Sequence, residues 1–362
     1  MKNKNRVENY VKYVILQLMA KRKLQLKDYV AIKGRKHLAQ LITSFPEMKG
    51  RVILVDACAE PDPKKREEMV AQFLKTSAEL TKKRKFFKGK IKKFKNQIHK
   101  RPSTLNRYRA YSWKPEKSLF SFADQSKLTR HAIIAPDLDV IRRTVQIHDW
   151  LDARRYKQLH NAKDVLNISH INIHLTRVLD HEFAHTVTHA MGVKLTKRQH
   201  EITADVFSAL RHIQKYGTKT PFLRDMVDRR AMGLLYGDFD HYTVDALLRV
   251  NKLTQTNDLK KYTPRQLLLI AHKIAKTSKS VPAADQKKIT KVFSQFGKRP
   301  IHTQGKKIVA AMLKTHKETD QFFVKHGIKY ILNAVARDCS YAPDALKKMY
   351  QRPRKSVTPK AV

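Results

Sequence analysis

Along most of the chain apolar side chains recur every three or four residues, the period of an amphipathic helix, and only short runs break that period. The pattern predicts helices over Val7 to Ala20, Lys64 to Lys83, Ile141 to Leu159, Pro264 to Lys276 behind Thr263, Ala283 to Phe296, and Ala342 to Tyr350. Two continuous apolar runs, Arg51 to Asp56 and His131 to Ala135, predict strands, the second stopped by Pro136. The longest periodic stretch, INIHLTRVLDHEFAHTVTHAMG, starts after Ser169, a good N-cap residue, and ends at Gly192, whose freedom to adopt positive φ suits a helix end. Thr196-Lys-Arg-Gln199 then has the form of a capping box and opens another helix that closes at Gly217. Together these elements predict a predominantly α-helical α+β protein with a small β-sheet and a helical C-terminal region.

Composition refines this picture. With 362 residues and 41% hydrophobic side chains the chain buries at least one full core, and no run is apolar and long enough to be a transmembrane segment. The 76 Lys+Arg against 31 Asp+Glu give a net charge of +45, unevenly spread. Residues 1–130 carry 34 basic and 11 acidic side chains (+23), residues 131–250 carry 17 and 14 (+3), and residues 251–362 carry 25 and 6 (+19). This partition predicts a basic N-terminal region, a nearly neutral central domain and a basic helical C-terminal region. The central part holds eleven of the 17 histidines, which marks it as the place for chemistry. The most basic tract, Lys82 to Arg101, has eleven Lys/Arg and no acid, interleaved with Phe86, Phe87 and Phe94. Lys82, Lys83, Arg84, Lys85, Lys92 and Lys93 are its candidate contacts to nucleic acid or another polyanion. Two cysteines, Cys58 and Cys339, exclude a disulfide scaffold and any four-cysteine zinc module. The N-terminal apolar stretch Val14 to Ala20 is short, contains Gln17 and has no cleavage site after it, so the expected location is cytoplasmic. No sequence pattern fixes an oligomeric state.

The chemistry concentrates in His181-Glu182-Phe183-Ala184-His185. On a helix the two imidazoles, four residues apart, share a face and suit one zinc ion, and the carboxylate between them suits the general base that acts on a water held there. A chain of this composition holds roughly 0.02 copies of the pattern by chance. The following helix carries Glu201 and Asp205, also four apart. If the two helices form an antiparallel hairpin about residues 192–195, His185 and Glu201 lie roughly 10 and 8 Å from the turn, and His181 and Asp205 roughly 16 and 14 Å. The pairs are level. Glu201 is therefore the candidate third ligand, and Asp205 is placed to accept the free N–H of His181.

H-E-x-x-H followed by E-x-x-x-D resembles the gluzincin zinc metallopeptidases. HEFAHTVTHAMG with EITADVFSAL is most similar to the ImmA/IrrE-type metallopeptidases, through His181, Glu182, His185, Glu201, Ala204 and Phe207. The resemblance, over about residues 175–215, implies a zincin-like core, one Zn2+ per chain, a peptide or protein substrate and Glu182 as the catalytic base. It also implies an edge strand that pairs with extended substrate, for which Ala132 to Ala135 is the candidate. A donor to the oxyanion is expected downstream, with Tyr236, His241 and Tyr242 as the nearest choices.

Other chemistries fit less well. A di-iron bundle needs a second E-x-x-H pair, His148-Asp149 has no completing partners for a phosphohydrolase, and there is no G-x-S-x-G or phosphate-binding glycine loop. The competing function is a basic nucleic-acid- or polyanion-binding protein in which the metal site is structural.

Overall fold

The computed structural model describes residues 26–56, 111–113, 131–135, 168–218, 222–296 and 304–350, with isolated positions at 62, 65, 69 and 220. The helices expected at Val7 to Ala20 and Ile141 to Leu159, the dipeptide His148-Asp149, and the basic tract with Lys82, Lys83, Arg84, Lys85, Lys92 and Lys93 lie outside the described residues, as does most of the helix expected at Lys64 to Lys83. Helices dominate what is described. They belong to two compact units.

In the first unit, α1 (Leu26–Ser44) leads through a 3-10 turn, Pro46–Met48, into β1 (Val52–Asp56). β2 (Tyr111–Trp113) and β3 (His131–Ala135) complete a three-stranded sheet of order β1-β3-β2. β1 runs parallel to β3, Val52 opposite His131 and Asp56 opposite Ala135. β2 runs antiparallel, with Tyr111 opposite Ile134 and Trp113 opposite Ala132. β3 is thus the central strand, which corrects the expectation that Ala132 to Ala135 forms an edge that receives substrate: its backbone donors and acceptors already face two neighbours.

The sheet and α1 both pack on α2 (Ile168–Ala190). Leu175, Leu179, Phe183 and Val187 of α2 form one helical stripe, each no more than 1% exposed. The helix begins at Ile168, so Ser169 falls inside its first turn instead of capping it. It ends as expected at Gly192, with φ of 64°. There the amide of Val193 donates to the Thr188 carbonyl and that of Gly192 to the His189 carbonyl, the paired bonds of a Schellman motif. Four residues later α3 (Lys197–Tyr216) starts at the expected capping box, in which Thr196 and Gln199 each accept the other's backbone N–H. From Ile202 to Leu210 every residue of α3 is buried, because α2 covers one side and a returning helix the other.

After α3 the chain forms α4 (Phe222–Ala231) and α5 (Val244–Thr256). The returning helix is α6 (Pro264–Lys276), predicted from its sequence and opened by a second capping box, Thr263 with Gln266. Phe45, at the end of α1, joins the helices: its ring meets Phe183 edge-on at 5.4 Å and Phe207 at 6.4 Å. Arg265 lies over the Phe45 ring at 5.3 Å and donates to both carboxylate oxygens of Glu47 at 2.7 Å.

The second unit takes α4, a 3-10 turn Met232–Tyr236 and residues 244–251 of α5. It continues with α7 (Ala283–Phe293), α8 (Gly305–Glu318), α9 (Phe322–Asp338) and α10 (Asp344–Tyr350). The helix expected to run to Phe296 tightens into a 3-10 turn after Phe293. Leu234 and Tyr242 lie so close to Gly327 that a Cβ there has no room. Arg337 spans this unit by donating to Asp228 at 2.8 Å and Asp338 at 2.6 Å. Among the described residues no helix is long and apolar enough to cross a membrane.

Since Phe183 is fully buried within the aromatic contact that joins α1, α2 and α3, Phe183→Ala is expected to cost about 3–5 kcal/mol in denaturant unfolding. A loss below about 1 kcal/mol would contradict this packing.

Candidate metal centre

The short connection between α2 and α3 makes them antiparallel neighbours, and their ionisable residues meet at matching levels. His181 Nε2 lies 3.2 Å from His185 Nε2. Glu201 presents one carboxylate oxygen 3.6 Å from His181 Nε2 and the other 3.5 Å from His185 Nε2. Among the described residues these three form a group whose donor atoms can surround one ion. An ion about 2.05 Å from tetrahedrally arranged donors separates them by roughly 3.3 Å, so the spacing already matches a zinc-sized cation.

The contact on the far nitrogen of His181 also fits. His181 Nδ1 is 3.0 Å from Oδ1 of Asp205, a carboxylate with no exposure. An ionised carboxylate only accepts, and opposite one His181 donates from Nδ1 and leaves the lone pair of Nε2 for a metal. This is the tautomer that a metal requires, and the carboxylate keeps it in place. Asp205 thus lies against His181 Nδ1, the contact its spacing predicted.

Glu182 is 6% exposed, on the same helix as the two histidines but outside the group of potential ligands. The Thr186 hydroxyl donates to the Glu182 carbonyl at 3.0 Å one turn on.

Several polar contacts around the centre had no local sequence signal. His37 of α1 pairs with Asp180 at 2.8 Å, both buried, and Arg211 Nε lies 3.9 Å from the same carboxylate oxygen. Asp180 directly precedes His181, so this pair fixes α2 against α1 beside the site. The His200 ring stacks on His189 at 4.4 Å between centroids and lies 6.3 Å from His185. A contact 143 residues apart, such as His37 with Asp180, has no periodic signature, whereas His200 was detectable only as a neighbour of Glu201.

Two more histidines of this unit are built as neutral core groups. His272 of α6 is hydrogen-bonded to Thr188 at 2.9 Å, and burial, then the charge of Lys276, lowers its pKa to about 4. His212 is likewise lowered to about 4 by burial, then by Arg177 and Lys215.

The three expected oxyanion donors belong to the second unit. Tyr236 ends the Met232–Tyr236 turn. His241 Nδ1 is 2.8 Å from Asp238. The Tyr242 hydroxyl donates to the Phe323 carbonyl at 3.3 Å and its ring is 1% exposed, so Tyr242 is built into that unit's core. His241 is outside the metal-capable group formed by His181, His185 and Glu201. Comparison of the chain with protein-family models, curated proteins and solved structures returns no match.

This geometry makes two outcomes measurable. Asp205→Asn presents an amide that need not accept from Nδ1, so zinc affinity should fall roughly 10–100-fold by competition with a chromophoric chelator, and an unchanged affinity would remove Asp205 from the site. The histidine shifts set a pH window. In the unfolded chain His212 and His272 take protons near 6.5, but in the fold they resist protonation until about 4. Stability from both is present above 6.5 and is lost as pH falls toward 4. His272→Gln should make the urea-measured stability fall less steeply across that window, and an identical slope would contradict the assignment.

Proposed function

We propose that the first unit is a zinc-dependent metallohydrolase, and most specifically a peptidase with a zincin-like core of the gluzincin type. The observation that carries this reading is the convergence of His181 Nε2, His185 Nε2 and Glu201 at separations of 3.2 to 3.6 Å, with Asp205 on the far nitrogen of His181. Two imidazoles and one carboxylate are the donor set of an open catalytic zinc site, whereas structural zinc sites take four protein ligands, commonly with cysteine. Zinc bound there supplies a Lewis acid for a carbonyl and a water of lowered pKa.

The remaining work falls to the chain's own residues. Glu182 accepts the proton of the attacking water and returns it to the leaving amine, which requires a carboxylate near the ligands yet not bound as one. Asp205 keeps the proton on His181 Nδ1 and stabilises the imidazole as a donor. The carboxylate of Glu201 offsets part of the cation's charge. Its presence in place of a third neutral ligand lowers the net charge of the centre to about +1. The competing reading, a structural metal within a polyanion-binding protein, requires Glu182 to be dispensable.

Glu182→Gln separates the two. The variant should keep its zinc and its melting temperature while turnover of a peptide library falls roughly 100-fold or more. A variant as active as the native chain would remove Glu182 from the mechanism, and absence of turnover in both proteins would favour the structural reading.

A further inference from the structure

We propose that the second unit binds single-stranded nucleic acid on the exposed face of α9 formed by Phe322, Lys325, His326 and Lys329, with His316 of α8 beside it. These α9 positions stand at i, i+3, i+4 and i+7, so they form one stripe over the first two turns, roughly 10 Å long. The opposite face, with Phe323, Val324, Ile328 and Leu332, is buried in the unit's core. Phe322 is the most exposed of the large apolar side chains described, at 59%. Its ring lies against the His326 imidazole at 4.2 Å with 35° between planes.

Lys325 and Lys329, the cations of this stripe, are both exposed. Burial, followed by the charges of Lys325, Lys329 and His326, pushes the His316 pKa down, and burial with Lys329 does the same to His326. Asp285 is buried at the start of α9, where it accepts from the backbone of Phe323 and Val324. Asp320 reaches Lys325 at 3.7 Å but is fully open to water, where such a pair is worth little. Glu318 is exposed at the end of α8, and its backbone carbonyl accepts from Lys288 at 3.4 Å. Two exposed lysines on one helical stripe with an exposed flat ring match a strand that offers phosphates and unstacked bases at once. The edges of a duplex offer no free base face. A lipid surface is matched by charge but favours an aromatic that projects into acyl chains, whereas this ring is laid against an imidazole as part of a platform.

The test uses the full chain and fluorescence anisotropy with two probes of equal length, an oligothymidylate and its abasic phosphodiester. Other lysine-rich segments contribute to both probes, so the difference between them isolates the ring. Phe322→Ala should weaken oligothymidylate binding roughly 10-fold and leave the abasic probe unchanged. The pair Lys325→Gln and Lys329→Gln should flatten the salt dependence for both probes, by about 0.7 in logarithmic slope for each phosphate that is no longer neutralised. Equal affinity of native and Phe322→Ala proteins for oligothymidylate overturns the proposal. So does a Phe322→Ala effect seen with phosphatidylserine vesicles but not with the oligonucleotide, which would assign the face to membranes. Both variants change exposed positions, and an unchanged melting temperature ties the losses to binding.

Discussion

Everything proposed for the first unit depends on the register between two antiparallel helices. His181 and His185 are one turn apart on α2, Glu201 and Asp205 one turn apart on α3, and the hairpin places the pairs level. Sliding α3 by one turn, about 5.4 Å, would set Asp205 opposite His185 and move Glu201 beyond reach of His181. The register is fixed at both ends of the connection. The Schellman bonds at Gly192 stop α2 at a defined residue, and the capping box at Thr196 starts α3 at another. Farther from the turn, Ser208 donates to the Arg177 carbonyl at 2.9 Å and ties the two helices again.

The packing that enforces this register is continuous with the site. Phe183 lies on the face of α2 opposite His181 and His185 and meets the ring of Phe45, which also meets Phe207. His37 with Asp180 holds α2 from the side of α1, and His272 with Thr188 holds it from the side of α6. The centre is therefore braced on rigid elements, which is what a coordination geometry accurate to a few tenths of an ångström demands. Each brace is a buried hydrogen bond between groups that leave water only because their partners are in place.

The parts legible in the sequence were those encoded by neighbours on the chain. The capping box at Thr196, the positive-φ glycine at the end of α2, the shared faces of His181 with His185 and of Glu201 with Asp205, and the helix Pro264–Lys276 all follow from spacings of a few residues. The strand order did not, because β3 lies between β1 and β2 through pairings that span tens of residues, and an apolar run carries no mark of being central or edge. The hydrogen bond from the Tyr242 hydroxyl to the Phe323 carbonyl, 81 residues away, likewise carries no local signal. His37 and His272 act on α2 from distant segments and had no periodicity to betray them.

The central claim is that His181, His185 and Glu201 together hold one zinc ion. X-ray absorption at the zinc edge, on protein purified without chelator, tests it most directly. The account predicts one zinc per chain with two imidazole nitrogens and oxygen donors at about 2.0–2.2 Å, and loss of the ion when His181 and Glu201 are both replaced by alanine. A chain without zinc, or a zinc with sulfur donors at about 2.3 Å, would contradict it.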